Sequence, residues 1–326
     1  MRRGRWTALL LGFAVLATAF APFGCAGPWR DPAAPEASAA TPLLWRARAP
    51  GGAEFYLLGS VHLRASDTPA LAAEIQQAYA DSKELVVEVD ISRVTPAEGK
   101  AAAERYAMLP PQLTLDGLIS PETRELLARY LKSRGFPADQ IQRYKPWFVA
   151  QLVLVTELQA AGYDVALGVD RAFIDQASGE KSILGLETID SQLAMLDSPS
   201  LELQELMLKD SLQRIGDLAG SARELLTAWS RGDEAELERQ VFRPLEEVPA
   251  LEAYYDALIW QRNASMAARL VEIAGDGGTR FVVLGAGHML GAKGIPARLA
   301  ELGFAVERVP PNGGIRTPEA AAPPPP

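Results

Sequence analysis

Short apolar runs alternate with longer stretches of helical periodicity along this chain, and that alternation constrains its fold more than any other feature. The runs at 54–58, 84–89, 182–186, 280–284 and 305–309 are rich in Val, Ile, Leu and Phe. Each has the length and composition of a buried strand. Helical patterns fill the intervals. Ser120-Pro121-Glu122 is a helix start, with Ser as the cap and Pro in the first turn, leading into 123–133. The most apolar helix is expected over 146–161, where Gln151, Thr156 and Glu157 argue against a membrane span. From 188 to 274 the pattern is almost entirely helical, with breaks expected near Gly220, Gly232 and Pro244. The sum is an α/β fold: a central sheet flanked by helices, with a large helical insertion.

The ends of the chain read differently. Arg2, Arg3 and Arg5 precede an apolar run over 7–20, shorter than the roughly 20 residues of a transmembrane helix and suited to a signal peptide. The leader of 1–25 ends at Cys25, where a bacterial lipoprotein carries its lipidated cysteine, although Pro22 stands where such signals usually have Leu. Ordinary cleavage at Ala17-Thr18-Ala19 is the alternative. Either route exports the protein, and the expectation is a periplasmic location with a lipid anchor on Cys25. Residues 26–42 read as an Ala/Pro-rich linker and 310–326 as a disordered Pro-rich tail, which leaves 43–309 as the folded unit.

Composition narrows the chemistry. With 32 Lys plus Arg against 41 Asp plus Glu, the net charge of −9 argues against nucleic-acid binding. The single Cys excludes a disulfide framework and a Cys-rich zinc module. Only two histidines remain, and they fall in matching contexts. Phe55-Tyr56-Leu57-Leu58-Gly59-Ser60-Val61-His62 parallels Phe281-Val282-Val283-Leu284-Gly285-Ala286-Gly287-His288. In both, a strand runs into Gly-x-x-His. A glycine at a strand end allows close backbone approach, and a histidine just beyond projects from the edge where open α/β sheets bind ligands.

A third strand supplies an acid. Glu88 follows Leu85-Val86-Val87, a setting in which an unpaired charge is costly. Asp90 lies on the same face by strand alternation. Two His and one Glu form a ligand set for a catalytic divalent ion, and donors without thiolate suit Zn, Mn, Co or Fe. Plainer readings stand beside this one. Either histidine alone fits a structural role, Glu88 could pair with an Arg at the sheet edge, and Asp90 is equally a turn or cap residue.

Gly59-Ser60-Val61-His62, Glu88 and Gly285-Ala286-Gly287-His288 resemble the paired Gly-x-x-His motifs and intervening Glu of the TraB/GumN family, which includes the TIKI metalloproteases. Lys145-Pro146-Trp147, Gly168-Val169-Asp170, Leu186-Glu187-Thr188 with Gln192, and Arg262-Asn263 with Met266 extend the resemblance over nearly all of 43–309. It implies a fold like that of the erythromycin-esterase and ChaN-like proteins. It also implies metal-dependent peptide-bond hydrolysis, with Mn or Co as metal and a peptide or protein as substrate.

Carried onto this sequence, the resemblance gives His62 and His288 as metal ligands. Glu88 becomes a ligand or the acceptor of a water proton. Arg262 would stabilise an oxyanion or anchor a substrate carboxylate, with Asn263 orienting it. Asp90, Asp170 and Glu187 become supporting groups around the ligands, while Met266, Trp147 and Phe148 read as core. Two other readings stay open: a non-catalytic protein that binds haem, a metal or a peptide signal, and a metal-independent ester hydrolase. The sequence says nothing of oligomeric state.

Overall fold

The computed structural model describes residues 39–311. The leader with Cys25, the linker up to residue 38 and the tail from residue 312 lie outside the described residues. Six strands form the main sheet: β1 (Leu44–Arg48), β2 (Glu54–Ser60), β4 (Glu84–Val87), β6 (Ser182–Gly185), β7 (Thr279–Gly285) and β8 (Ala305–Arg308), with β3 (Arg64–Ala65) and β5 (Tyr163–Asp164) in a separate two-stranded ribbon. The order across the sheet is β6-β4-β7-β2-β1-β8. β6, β4, β7 and β2 run parallel, whereas at one side β1 runs the opposite way and pairs antiparallel with both β2 and the edge strand β8. Phe281, Val282, Val283 and Leu284 of central β7 are all buried, as expected of a parallel strand covered on both faces.

All five expected strands are present, each shifted at its ends by no more than two residues. β1 was not expected. Arg46 and Arg48 break its apolar run, yet Arg46 turns its guanidinium onto Glu54, 2.7 Å from Nε to Oε2, and lies against the Tyr56 ring. Cross-strand pairing thus satisfies charges that disguise the strand in one dimension. The linker also ends earlier than its composition suggests. Ala40 is buried and its N–H donates to Ala70, while Thr41 donates to Ser230.

Ser120 caps Pro121–Arg134 by accepting from the Thr123 N–H, and Gly135 closes that helix at φ 72°. The helical material comes from both intervals around β6. Pro121–Arg134, Pro146–Ala160 and Leu201–Gln213 share a second core containing Leu127, Val149, Val153, Leu208 and Leu212. Gly220 lies inside Ile215–Ser230 and Pro244 inside Glu234–Glu247, so neither breaks a helix. One interior glycine costs only about 1 kcal/mol, and Pro244 sits one turn from its helix end, where its carbonyl still accepts from Val248. The break at Gly232 does form, at φ 61°, with Thr41 packed against it. Among the described residues no helix is long and apolar enough to cross a membrane.

Candidate active site at the carboxyl edge of the sheet

Parallel pairing of β2 with β7 sets Ser60 opposite Gly285, so both Gly-x-x-His segments leave the same edge of the sheet. His62 and His288 are each about 95% buried there. β4, on the other side of β7, ends at Val87 and delivers Glu88 to that edge. The Gly285 N–H donates to Glu88 Oε1 at 2.7 Å. Gly285 marks where the three meet. A Cβ at this position would lie 3.2 Å from Glu88 Oε1, 3.4 Å from His62 Nε2 and 3.6 Å from His288 Cδ2. His288 Nε2 is itself 3.7 Å from Glu88 Oε1. Gly59 has the matching role in β2, where a Cβ would crowd the Ala286 Cα at 3.3 Å.

Glu88 is the most heavily held group. Its Oε2 accepts from Arg262 at 2.6 Å and from the Gln192 amide at 3.0 Å. Burial alone would raise its pKa, but Arg262, the two histidines and the Gly285 N–H together hold it well below the usual carboxylate range. Arg262 also grips Glu187 through Nε and one terminal nitrogen, and its other terminal nitrogen donates to the Leu258 carbonyl. Gln192 bridges the two carboxylates, donating to Glu187 as well. The helix around Arg262 is irregular: a π-turn over Asp256–Gln261 runs directly into Arg262–Ala274. Such turns recur at functional sites because they re-aim the residues that follow.

The two histidines are anchored differently through Nδ1. His62 Nδ1 lies 3.2 Å from Asp170 Oδ2, an ion pair without hydrogen-bond alignment. The Gly168-Val169-Asp170 segment reaches it because the Val169 N–H donates to the Val61 carbonyl. Burial pushes the His62 pKa down, but the Asp170 carboxylate outweighs burial and raises it to about 9. His288 Nδ1 is 2.6 Å from Asn263 Oδ1, and the Asn263 amide donates to the Lys293 carbonyl at 2.8 Å. Burial and nearby Arg262 lower the His288 pKa to about 3.

A raised histidine pKa stabilises the fold fully below the ordinary value of 6.5 and loses that contribution as pH climbs through about 9. The metal-free chain is therefore expected to lose about 1–3 kcal/mol of unfolding free energy across that window. His62→Gln should not lose it. Identical denaturant-midpoint profiles for the two chains would exclude the His62–Asp170 pair as the cause.

Several expected roles change. Arg262, expected at a substrate oxyanion or carboxylate, has its guanidinium nitrogens bonded to Glu88, Glu187 and the Leu258 carbonyl. Asn263 contacts His288 rather than orienting Arg262. Glu187 holds Arg262 and Gln192 instead of a histidine ring. Asp90 caps the turn Ile91–Arg93, accepting from the Ser92 N–H and hydroxyl, and pairs with Arg93. Its face-sharing with Glu88 ends because the strand itself stops at Val87. Met266 and Trp147 are buried core, as expected. The Lys145-Pro146-Trp147 motif is explained by Asp197, which accepts from both Lys145 and the Trp147 indole. Gln192, in the first turn of Ile189–Leu196, joins Glu88 to Glu187; in the sequence its only signal is its place beside the Leu186-Glu187-Thr188 motif.

The donor chemistry here suits a divalent ion. Two imidazoles, each with Nδ1 turned to an oxygen, flank a carboxylate held in its ionised form, and ligating histidines are commonly oriented in this way. The side chains are not drawn into a closed shell. Among the described residues no group of three His, Cys, Asp or Glu stands as a metal cage.

A family model described as the TraB/PrgY/gumN family matches residues 43–308. The uncharacterized protein YbaP of Escherichia coli is 25% identical over 255 residues, covering 77% of this chain and 89% of its own length. YbaP of Shigella flexneri is 24% identical with the same coverage. An uncharacterized protein of Treponema pallidum is 22% identical over 273 residues, 78% of each chain. No solved structure matches the chain.

Proposed function

The chain belongs to the TraB/PrgY/gumN family, and from that premise we propose a metal-dependent hydrolase that cleaves peptide bonds at the carboxyl edge of the sheet. The observation that carries the reading is the convergence of His62, His288 and Glu88 around the Gly285 backbone. These three residues would hold the ion. A divalent metal of the Mn, Co or Zn type would supply Lewis acidity and a bound water of lowered pKa.

The remaining work falls to the chain's own side chains. Arg262 keeps Glu88 ionised, and a carboxylate with so little proton affinity is better suited to ligation than to accepting a proton from water. Glu187 balances the Arg262 charge, so Glu88 keeps its own for the ion. Asp170 and Asn263 fix the outer edges of the two rings. The same proposal includes the fold kinship with erythromycin-esterase and ChaN-like proteins. It also includes export with a lipid anchor on Cys25, which rests on the sequence of the leader.

Metal analysis of the purified chain, with His62→Ala and His288→Ala beside it, tests the reading. About one divalent ion per chain is expected in the wild type and a loss of at least tenfold in affinity in each variant. Cleavage of unstructured peptides should stop with chelator and return with Mn, Co or Zn. Ligation by Glu88 further predicts that Glu88→Gln loses metal, whereas a base would keep the metal and lose only cleavage. Equal metal content in the wild type and both histidine variants would sink the shared site. A Soret band on haem addition that is lost in the same variants would favour the haem-binding alternative.

A further inference from the structure

The environment of His288 fixes more than its position. We infer that Asn263 is a positioning residue that holds His288 as the Nδ1–H tautomer, with the Lys293 carbonyl setting the direction of the Asn263 amide. A backbone carbonyl only accepts, so the Asn263 nitrogen, 2.8 Å from Lys293 O, must be the amide end facing it. The Asn263 oxygen is then the end 2.6 Å from His288 Nδ1. That oxygen also only accepts, so Nδ1 bears the hydrogen. A neutral imidazole has one N–H, which leaves a lone pair on Nε2.

This arrangement opposes a local preference. Nε2 stands 3.7 Å from Glu88 Oε1, and the other tautomer would aim an N–H at that carboxylate. Without Asn263, electrostatics would place the proton on Nε2 and leave the inner edge of the ring unable to bind a cation. The Asn263 hydrogen bond opposes that pull, and its own anchor is held at several points. The Lys293 ammonium lies 4.0 Å over the Trp260 ring, and its carbonyl also accepts from Arg298. Gly294 follows without room for a side chain, since a Cβ would stand 2.7 Å from the Leu290 carbonyl oxygen. Trp260 lies in the π-turn and Asn263 just beyond it, so one helical run holds Lys293 by its side chain and by its backbone.

The consequence for metal capture rests on the hydrolase reading, but the tautomer can be measured without it. The full chain, stripped with chelator and labelled with 15N-histidine, contains only His62 and His288, and His62→Gln assigns the signals. Long-range 1H–15N spectra at a pH where His288 is neutral should show Nδ1 protonated and Nε2 as a bare acceptor. Asn263→Ala, which removes the acceptor, should move the proton to Nε2. A wild-type Nε2–H ring, or an Nδ1–H ring that persists in Asn263→Ala, would overturn the assignment. The wild-type spectrum decides the matter even if the Ala variant does not fold. An Nδ1–H ring in a chain that binds no metal would refute the hydrolase reading alone; an Nε2–H ring in a metal-binding chain would refute this inference alone.

Discussion

Replacing Arg262 with Met is expected to destabilise the chain by about 3–5 kcal/mol, the range for breaking a buried ion pair by removing one partner. Arg262, Glu88 and Glu187 are all largely buried, and the guanidinium contacts both carboxylates at 2.6 Å. Methionine approximates the side-chain volume but leaves two negative charges facing each other with only Gln192 between them. The cost should therefore arise from uncompensated charge rather than from a cavity. Adding Glu187→Gln to Arg262→Met removes one of the two stranded charges and should recover part of the loss. Urea denaturation of the wild type, both single variants and the double variant completes the cycle. A loss below about 1 kcal/mol for Arg262→Met, the scale of exposed pairs, would show that the network contributes little to folding.

Gly168→Ala should be the next most damaging change, and for a steric reason. Gly168 has φ −54° and ψ 146°, which alanine adopts freely, so the backbone angles carry no penalty. The added Cβ, however, would lie 2.7 Å from the His62 carbonyl oxygen and 2.9 Å from its carbon. Both are backbone atoms, and the bond from Val169 to Val61 holds the two segments together. Separation can come only by moving the His62 loop away from Asp170. A loss of about 1–3 kcal/mol is expected, as for other overpacked sites, together with loss of the stability change between pH 6.5 and 9 that the His62–Asp170 pair imposes. Gly216→Ala is the control, because a Cβ there meets nothing within 4 Å and should be neutral or slightly stabilising. Equal stabilities and equal pH profiles for Gly168→Ala and the wild type would refute the steric argument.

The parts of this fold legible in the sequence are those with a local signal. The Ser120 cap, the Pro at the head of Pro121–Arg134 and the apolar strands all announce themselves within a few residues. β1 stayed hidden because its arginines are compensated by neighbouring strands, Arg46 by Glu54 and Tyr56 and Arg48 by Glu307. Gly220 and Pro244 suggested breaks because propensity cannot see the packing that carries a helix through an unfavourable residue.

The site divides along the same line. Sequence alone determined that two strands end in Gly-x-x-His and that a third places Glu88 after an apolar run, because strand periodicity and glycine chemistry are written locally. It also determined that no other histidine is available. Sequence could not decide what each side chain touches. Arg262 suited an oxyanion equally well until the fold put Glu88 and Glu187 around it. Asn263 could have oriented Arg262 until it met His288, and Asp90 could have joined the ligands until β4 ended at Val87. Those roles depend on distances between atoms remote in the chain, and in a buried site a shift of a few ångströms decides whether a charge is paired, bound to a ligand or stranded.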